Sequence, residues 1–223
     1  MVNTQEKLAK LTKSDLWKEW EQQFLNTTGI ATLANNWIRQ ETVICSKKPL
    51  NTLADFKGVK IRTVSSETTI ASYNALGFSA TPIAFSEVFL SLQQGVVDAT
   101  FGTKDNIYTN SFYVEAPNIL MWGPSCTNLG VWINNAKLQS MTEAQRQILT
   151  DACNEAGDWY TSEANKLTEG YVEDMVKAGA NLTYLSEADT EAANNTLVEL
   201  GRSYEGSKLS AGVMDRILAA VNE

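Results

Sequence analysis

Lys47-Lys48-Pro49-Leu50-Asn51-Thr52-Leu53-Ala54-Asp55-Phe56-Lys57-Gly58-Val59-Lys60-Ile61-Arg62-Thr63 leads into a segment that alternates between two local patterns. Residues 59–63 read as a short strand. Ser65 and Ser66 then offer hydroxyl caps for a helix with Glu67 in its first turn, and Gly77 stops it. Residues 80–83 read as a second strand, 86–94 as a helix ended by Gly95, and 98–102 as a third strand with a short helix through Tyr108. Strands alternating with helices at this pitch predict parallel crossovers and an α/β fold.

Outward from this segment, residues 14–28 place Leu16, Trp17, Trp20 and Phe24 at helical spacing before Gly29, and residues 30–38 and 41–46 look extended. Residues 118–122 and 129–134 supply further strands. Thr142-Glu143-Ala144-Gln145 forms a capping box at the head of the longest helical pattern, which runs to Gly179 with Gly157 and Gly170 as bends. Residues 181–185 make one more strand, and two helices close the chain, the second over 213–221.

The 223 residues carry 43% hydrophobic and 20% charged side chains, enough for a sizeable core. A formal charge of −8 makes the mean field repel phosphate backbones, so nucleic acid is not an expected partner. No stretch is long and apolar enough to span a bilayer, and residues 1–13 are polar, without the apolar run of a signal peptide. Cys45, Cys126 and Cys153 have no metal-ligand spacing and are read as buried free thiols. Histidine is absent, which removes the commonest general base and the usual partner of a Ser or Cys nucleophile. The chain is therefore not expected to be an enzyme, and neither a cofactor nor a metal is expected.

Arg62 stands at the end of a strand and before a capped helix, and ligands of open α/β sheets sit beyond the carboxyl ends of strands. Its planar fork matches a carboxylate bidentately, and the first N–H groups of the following helix, next to Ser65, add donors. The bland reading of an arginine so placed is a surface ion pair.

The run Gly58-Val59-Lys60-Ile61-Arg62, with Phe85-Ser86-Glu87-Val88 and Gln94-Gly95-Val96-Val97-Asp98-Ala99 at their spacing, resembles the solute-binding proteins of tripartite ATP-independent periplasmic (TRAP) transporters. The likeness runs from about Trp17 to the end. The resemblance implies a periplasmic-binding-protein-like fold of two lobes facing across a cleft, with a long bracing helix. It also implies that Arg62 clamps a carboxylate and that Phe85 lines the pocket. The chain departs from the family pattern at Phe101 and Gly102, where relatives carry a glutamate and an Asn or Trp. Phe101 rules out a hard-cation ligand at that position. Gly102 is expected to enlarge the pocket and Phe101 to flank the ligand.

Relatives begin with a segment that has no counterpart here, so one lobe is expected to be incomplete. Residues 40–127 plus 168–223 would form the ligand-anchoring lobe, and residues 1–39 plus 128–167 the remnant of the facing lobe and the long helix. Apolar surface left open there implies self-association. The resemblance implies a periplasmic protein that captures a small organic acid and delivers it to membrane permease subunits. The alternative is a degenerate module serving as a sensor or scaffold.

Overall fold

The computed structural model describes residues 1–222. The chain opens with α1 (Gln5–Lys13) and α2 (Asp15–Thr28), which share Ser14 as the C-cap of one and the N-cap of the other. Gly29 ends α2 at φ 71°, a left-handed conformation that costs glycine nothing. There follow β1 (Ile30–Ile38), β2 (Thr42–Ser46), β3 (Lys60–Thr63), α3 (Glu67–Ala75), β4 (Ser79–Pro82), α4 (Val88–Gln93), β5 (Ala99–Thr103), α5 (Lys104–Thr109), α6 (Phe112–Glu115) and β6 (Asn118–Leu120). The remainder is β7 (Asn128–Asn134), α7 (Asn135–Gln139), α8 (Glu143–Lys177), β8 (Asn181–Thr183), α9 (Glu187–Ser203) and α10 (Val213–Asn222). Helix α1 lies in a stretch for which the periodicity predicts no element; Thr4, accepting from the Lys7 N–H, is its local signal.

The backbone divides into two compact units. The first takes Met1, residues 41–125 and residues 168–214; the second takes residues 2–40, 126–167 and those from 215 onward. The division differs from the expected boundaries at the chain ends. Ile217, Ala220 and Val221 of α10 pack against Leu11 and Leu16 of the N-terminal helices, which draws the C-terminus into the second unit. Met1 packs instead with the core of the first.

The first unit is built on a six-stranded sheet of order β4-β3-β5-β2-β6-β8. Strands β3, β4 and β5 run parallel, as the crossovers predict, and β6 and β8 are parallel too. Strand β2, however, is antiparallel to both its neighbours, β5 and β6, so the sheet is mixed. Both faces are covered. Val43 and Cys45 turn to a core with Val88, Leu92 and Ile119, while Ile44 turns to one with Phe56, Ile61 and Tyr73. All five β2 residues are buried, as continuous burial on two faces requires. Each fully buried Ile, Leu or Phe contributes roughly 1.5–3 kcal/mol by leaving water.

In the second unit, antiparallel β1 and β7 form a two-stranded sheet, and β1 is hydrogen-bonded to α8 through Asn154 and Thr161. Helix α8 is continuous over 35 residues. Gly157 is a contact point within it: the indole N–H of Trp37 donates to Cys153 O at 3.2 Å, and Asn36 Nδ2 donates to Asn154 O at 2.8 Å. A Cβ at 157 would overlap Asn36 Oδ1 and come within 2.7 Å of Trp37 Cδ1. Gly157→Ala is therefore expected to destabilise the chain by about 1–3 kcal/mol. Helix propensity alone predicts the opposite sign, a gain of about 1 kcal/mol. Urea unfolding distinguishes them, and a raised midpoint in the variant would refute the close packing.

None of the three cysteines forms a disulfide; Cys45 and Cys126 are buried and Cys153 is partly exposed, against the expectation of three buried thiols. Burial pushes the Cys45 thiol from 9.0 up to about 12. Because the unfolded chain releases this proton first, the contribution of Cys45 to stability is full below about pH 9 and falls as pH rises toward 12. A thiol reagent at pH 8 is expected to label Cys153 in the native protein and Cys45 only after unfolding. Rapid native labelling of Cys45 would contradict its placement.

Candidate anion site at the carboxyl ends of the parallel strands

The parallel run of β4, β3 and β5 brings three carboxyl ends to one edge of the first unit's sheet. Arg62 in β3 stands in register with Thr81 of β4 and Thr100 of β5. Residues in register on parallel strands share a face. Arg62 is only 4% exposed, while its register partner Thr81 on β4 is exposed. Arg62 Nε donates to the carbonyl of Ile83 at 2.9 Å, which fixes the plane of the guanidinium. The Phe85 ring, opening a 3₁₀ turn over Phe85–Glu87, lies with its centroid 5.7 Å from Arg62 Cζ. Phe85 is itself held edge-on by Phe112 at 5.8 Å and remains 47% exposed.

No carboxylate among the described residues pairs with Arg62. Burial alone lowers its pKa, with no neighbouring charge contributing. An arginine stays protonated in proteins, so the first unit holds a largely buried positive charge whose two terminal nitrogens have no acidic partner. This is not the surface ion pair of the bland reading. Beside it, the Thr100 hydroxyl is fully buried and has no hydrogen-bond partner. Sequence reasoning missed Thr100; the alternation along residues 98–102, which turns it to the Arg62 face, was the available signal.

The other expected site residues separate. Phe101 follows Thr100 and therefore faces the opposite side of the sheet, where its ring tilts on Tyr73 at 4.9 Å and joins the core with Ile61 and Ala99. It does not flank the Arg62 site, because strand side chains alternate with a period of two. Gly102 shares the Arg62 face, but a Cβ there would meet Ile107 Cδ1 of α5 at 3.4 Å. The space beside it belongs to α5, not to an enlarged pocket. Ser65 is exposed; Ser66 is the residue that caps α3, accepting from the Thr69 N–H at 3.4 Å. Arg62 and Phe85 are the pair that the fold brings together.

The model of the bacterial extracellular solute-binding protein family 7, DctP, matches residues 1–207. The chain belongs to the DctP family. This is a family of solute-binding proteins, not enzymes. Two curated relatives are the sialic acid-binding periplasmic protein SiaP of Vibrio cholerae and the C4-dicarboxylate-binding periplasmic protein DctP of Rhodobacter capsulatus. The first is 25% identical over 95% of this chain, the second 27% over 98%. The chain spans 64% and 65% of their respective lengths. A TRAP periplasmic solute-binding protein from Ochrobacterium anthropi, solved with bound L-fuconate, superposes with a TM-score of 0.83 at 25% identity. That match covers 98% of this chain and 70% of the other. The mixed α/β architecture with its long helix is thus a DctP-family fold. Among the described residues no helix is long and apolar enough to cross a membrane, and no three Cys, Asp or Glu side chains gather as a metal-sized cluster.

Proposed function

We propose that this chain is the solute-binding part of a TRAP transporter, acting in the periplasm, where it captures a small organic carboxylate through Arg62 and passes it to membrane permease subunits. The observation that carries the reading is the Arg62 guanidinium, 4% exposed and lacking any acidic partner among the described residues. Burying an unpaired charge costs stability, and a ligand anion returns that cost when it arrives. Sialic acid, C4-dicarboxylates and L-fuconate, the ligands of the relatives, all present a carboxylate, which supports the same ligand class here.

The chemistry follows from the geometry. With Nε held by Ile83 O, the Nη1 and Nη2 donors form a fork of fixed orientation, suited to two parallel N–H···O bonds with one carboxylate. Phe85 lies against the guanidinium and offers an apolar surface to the body of the acid, and the two together keep water from one side of the ion pair. The Thr100 hydroxyl supplies a further donor on the same face. No step of this mechanism makes or breaks a covalent bond.

A thermal-shift panel of monocarboxylates, dicarboxylates and sugar acids, each run beside its neutral amide or alcohol counterpart, tests the reading. Ligand at about 100 times its dissociation constant adds roughly 2.7 kcal/mol of stability. The expected result is a shift for one carboxylate class and none for its neutral counterparts. Equal shifts with acid and amide, or no shift with any acid, would overturn the proposal.

A further inference from the structure

Residues 47–60 hold four lysines against a single aspartate, in a chain whose formal charge is −8. That aspartate, Asp55, is taken up locally: its Oδ2 accepts from the Asn51 and Thr52 N–H groups at 2.9 and 2.8 Å. The side chains of Lys47, Lys48 and Lys57 form neither an ion pair nor a hydrogen bond among the described residues. Like charges gathered without a counter-charge repel one another, and an anion placed among them relieves that repulsion.

The sheet of the first unit is what gathers them. Because β2 runs antiparallel to β5, Ser46 at its end stands opposite Ala99, the first residue of β5. Lys47 and Lys48 are thereby delivered to the amino ends of β3 and β5, where the turn through Lys57 leads into β3. With Ser46 and Asp98 these lysines wall a cavity of about 300 Å³, at the edge of the sheet opposite to the one that carries Arg62. Backbone bonds hold the walls in place. The Lys47 N–H donates to Asp98 O at 2.9 Å, the Asp98 N–H to Lys60 O at 2.8 Å, and Asn118 Nδ2 to Lys47 O at 3.0 Å.

Asp98 decides which anion suits the cavity. Its Oδ2 accepts from the Lys60 N–H at 3.2 Å, and its carboxylate forms no ion pair among the described residues. An ionised carboxylate only accepts hydrogen bonds, so beside an anion site it opposes a ligand made of acceptors alone and welcomes one that brings a proton. Lysines are compact point charges, suited to the oxygens of a tetrahedral anion, whereas the planar fork of Arg62 matches a carboxylate.

We propose that this cavity binds inorganic phosphate as hydrogen phosphate, with Lys47, Lys48 and Lys57 facing its charged oxygens and the Asp98 carboxylate accepting from its P–OH group. Sulfate has the same shape and charge but no proton at neutral pH; it sets a bare oxygen against Asp98 and binds less well. The site lies apart from Arg62, and neither reading rests on the other.

The test records ¹H–¹⁵N spectra of the whole chain during titration with sodium phosphate, sodium sulfate and sodium chloride at matched ionic strength, which holds screening constant. Phosphate is expected to give saturable shifts at residues 46–48, 57–60 and 98, with half-saturation at least about 10-fold below that of sulfate, the factor that one charge-assisted hydrogen bond supplies. Lys48 and Lys57 are both exposed, so Lys48→Gln with Lys57→Gln leaves the fold intact and is expected to raise the phosphate half-saturation by at least about 10-fold. Asp98→Asn keeps an acceptor for the Lys60 N–H and is expected to erase the preference for phosphate over sulfate. Equal responses to phosphate and sulfate in the unaltered chain overturn the proposal, as do shifts that chloride reproduces or that the lysine changes leave as they were. Shifts centred on residues 81–85 and 100 overturn it too, since they would put the anion at Arg62.

Discussion

Arg62→Ala is expected to weaken binding of the cognate carboxylate by roughly 30- to 1,000-fold, about 2–4 kcal/mol, the usual range for truncating one side of a desolvated charge pair. Arg62→Lys keeps the charge but loses both the planar fork and the Nε bond to Ile83, so it should fall between wild type and alanine. The informative companion is Arg62→Met. Because the guanidinium is largely buried and has no acidic partner among the described residues, replacing it with an apolar side chain of similar length is expected to leave the ligand-free protein as stable as wild type, or more so. Calorimetric titration with the ligand found in the panel, paired with ligand-free melting, reads both effects. A residue held for function at the expense of stability loses affinity and keeps its Tm; a variant that lost Tm and kept affinity would make Arg62 a structural residue.

Phe56→Ala is expected to cost about 3–5 kcal/mol of stability. The ring is fully buried, stacked on Phe78 at 4.5 Å and on Trp122 at 6.2 Å, within a core that also takes Tyr73 at 5.7 Å from Phe78. Such a loss is a large part of the 5–15 kcal/mol by which domains ordinarily hold together. Neighbouring rings large enough to leave a cavity, and too constrained to close it, give the upper part of that range. Urea unfolding followed by tryptophan fluorescence reports it through Trp122, which is part of the same stack. A change below about 1 kcal/mol would mean that the aromatic cluster collapses into the gap, and the stack would then not be the rigid core described here. Phe78→Ala combined with Phe56→Ala should cost less than the two separately, since both remove the same contact.

Much of the local structure could be read along the chain. Ser14 and Gly29 bracket α2, Ser66 and Glu67 open α3, and the Thr142 to Gln145 box opens α8, where the Thr142 N–H meets Gln145 Oε1 at 2.9 Å and the Gln145 N–H meets Thr142 Oγ1 at 3.3 Å. These signals are legible because the groups that satisfy one another lie three or four residues apart. The charge and fork of Arg62, and its place between a strand and a capped helix, were legible for the same reason. Its likeness to the TRAP family rested on motifs no longer than a strand and a turn.

What the sequence could not decide is where pairing is settled by distant partners. Nothing in residues 42–46 says that β2 runs against β5 and β6, because an apolar run of five suits either direction. Phe101 shows the sensitivity: one step along β5 separates a ligand-facing position from a core position, and the choice was made by Tyr73, 28 residues away, not by any neighbour in sequence. Gly157 reads as a bend until Asn36 and Trp37, more than a hundred residues earlier, are found against it. Local hydrogen bonding and helical or alternating periodicity thus determined the elements and marked the arginine, whereas the faces those elements bury, and the lack of a counter-charge at Arg62 among the described residues, were decided only by tertiary packing, since burial is a property of segments that sequence places far apart.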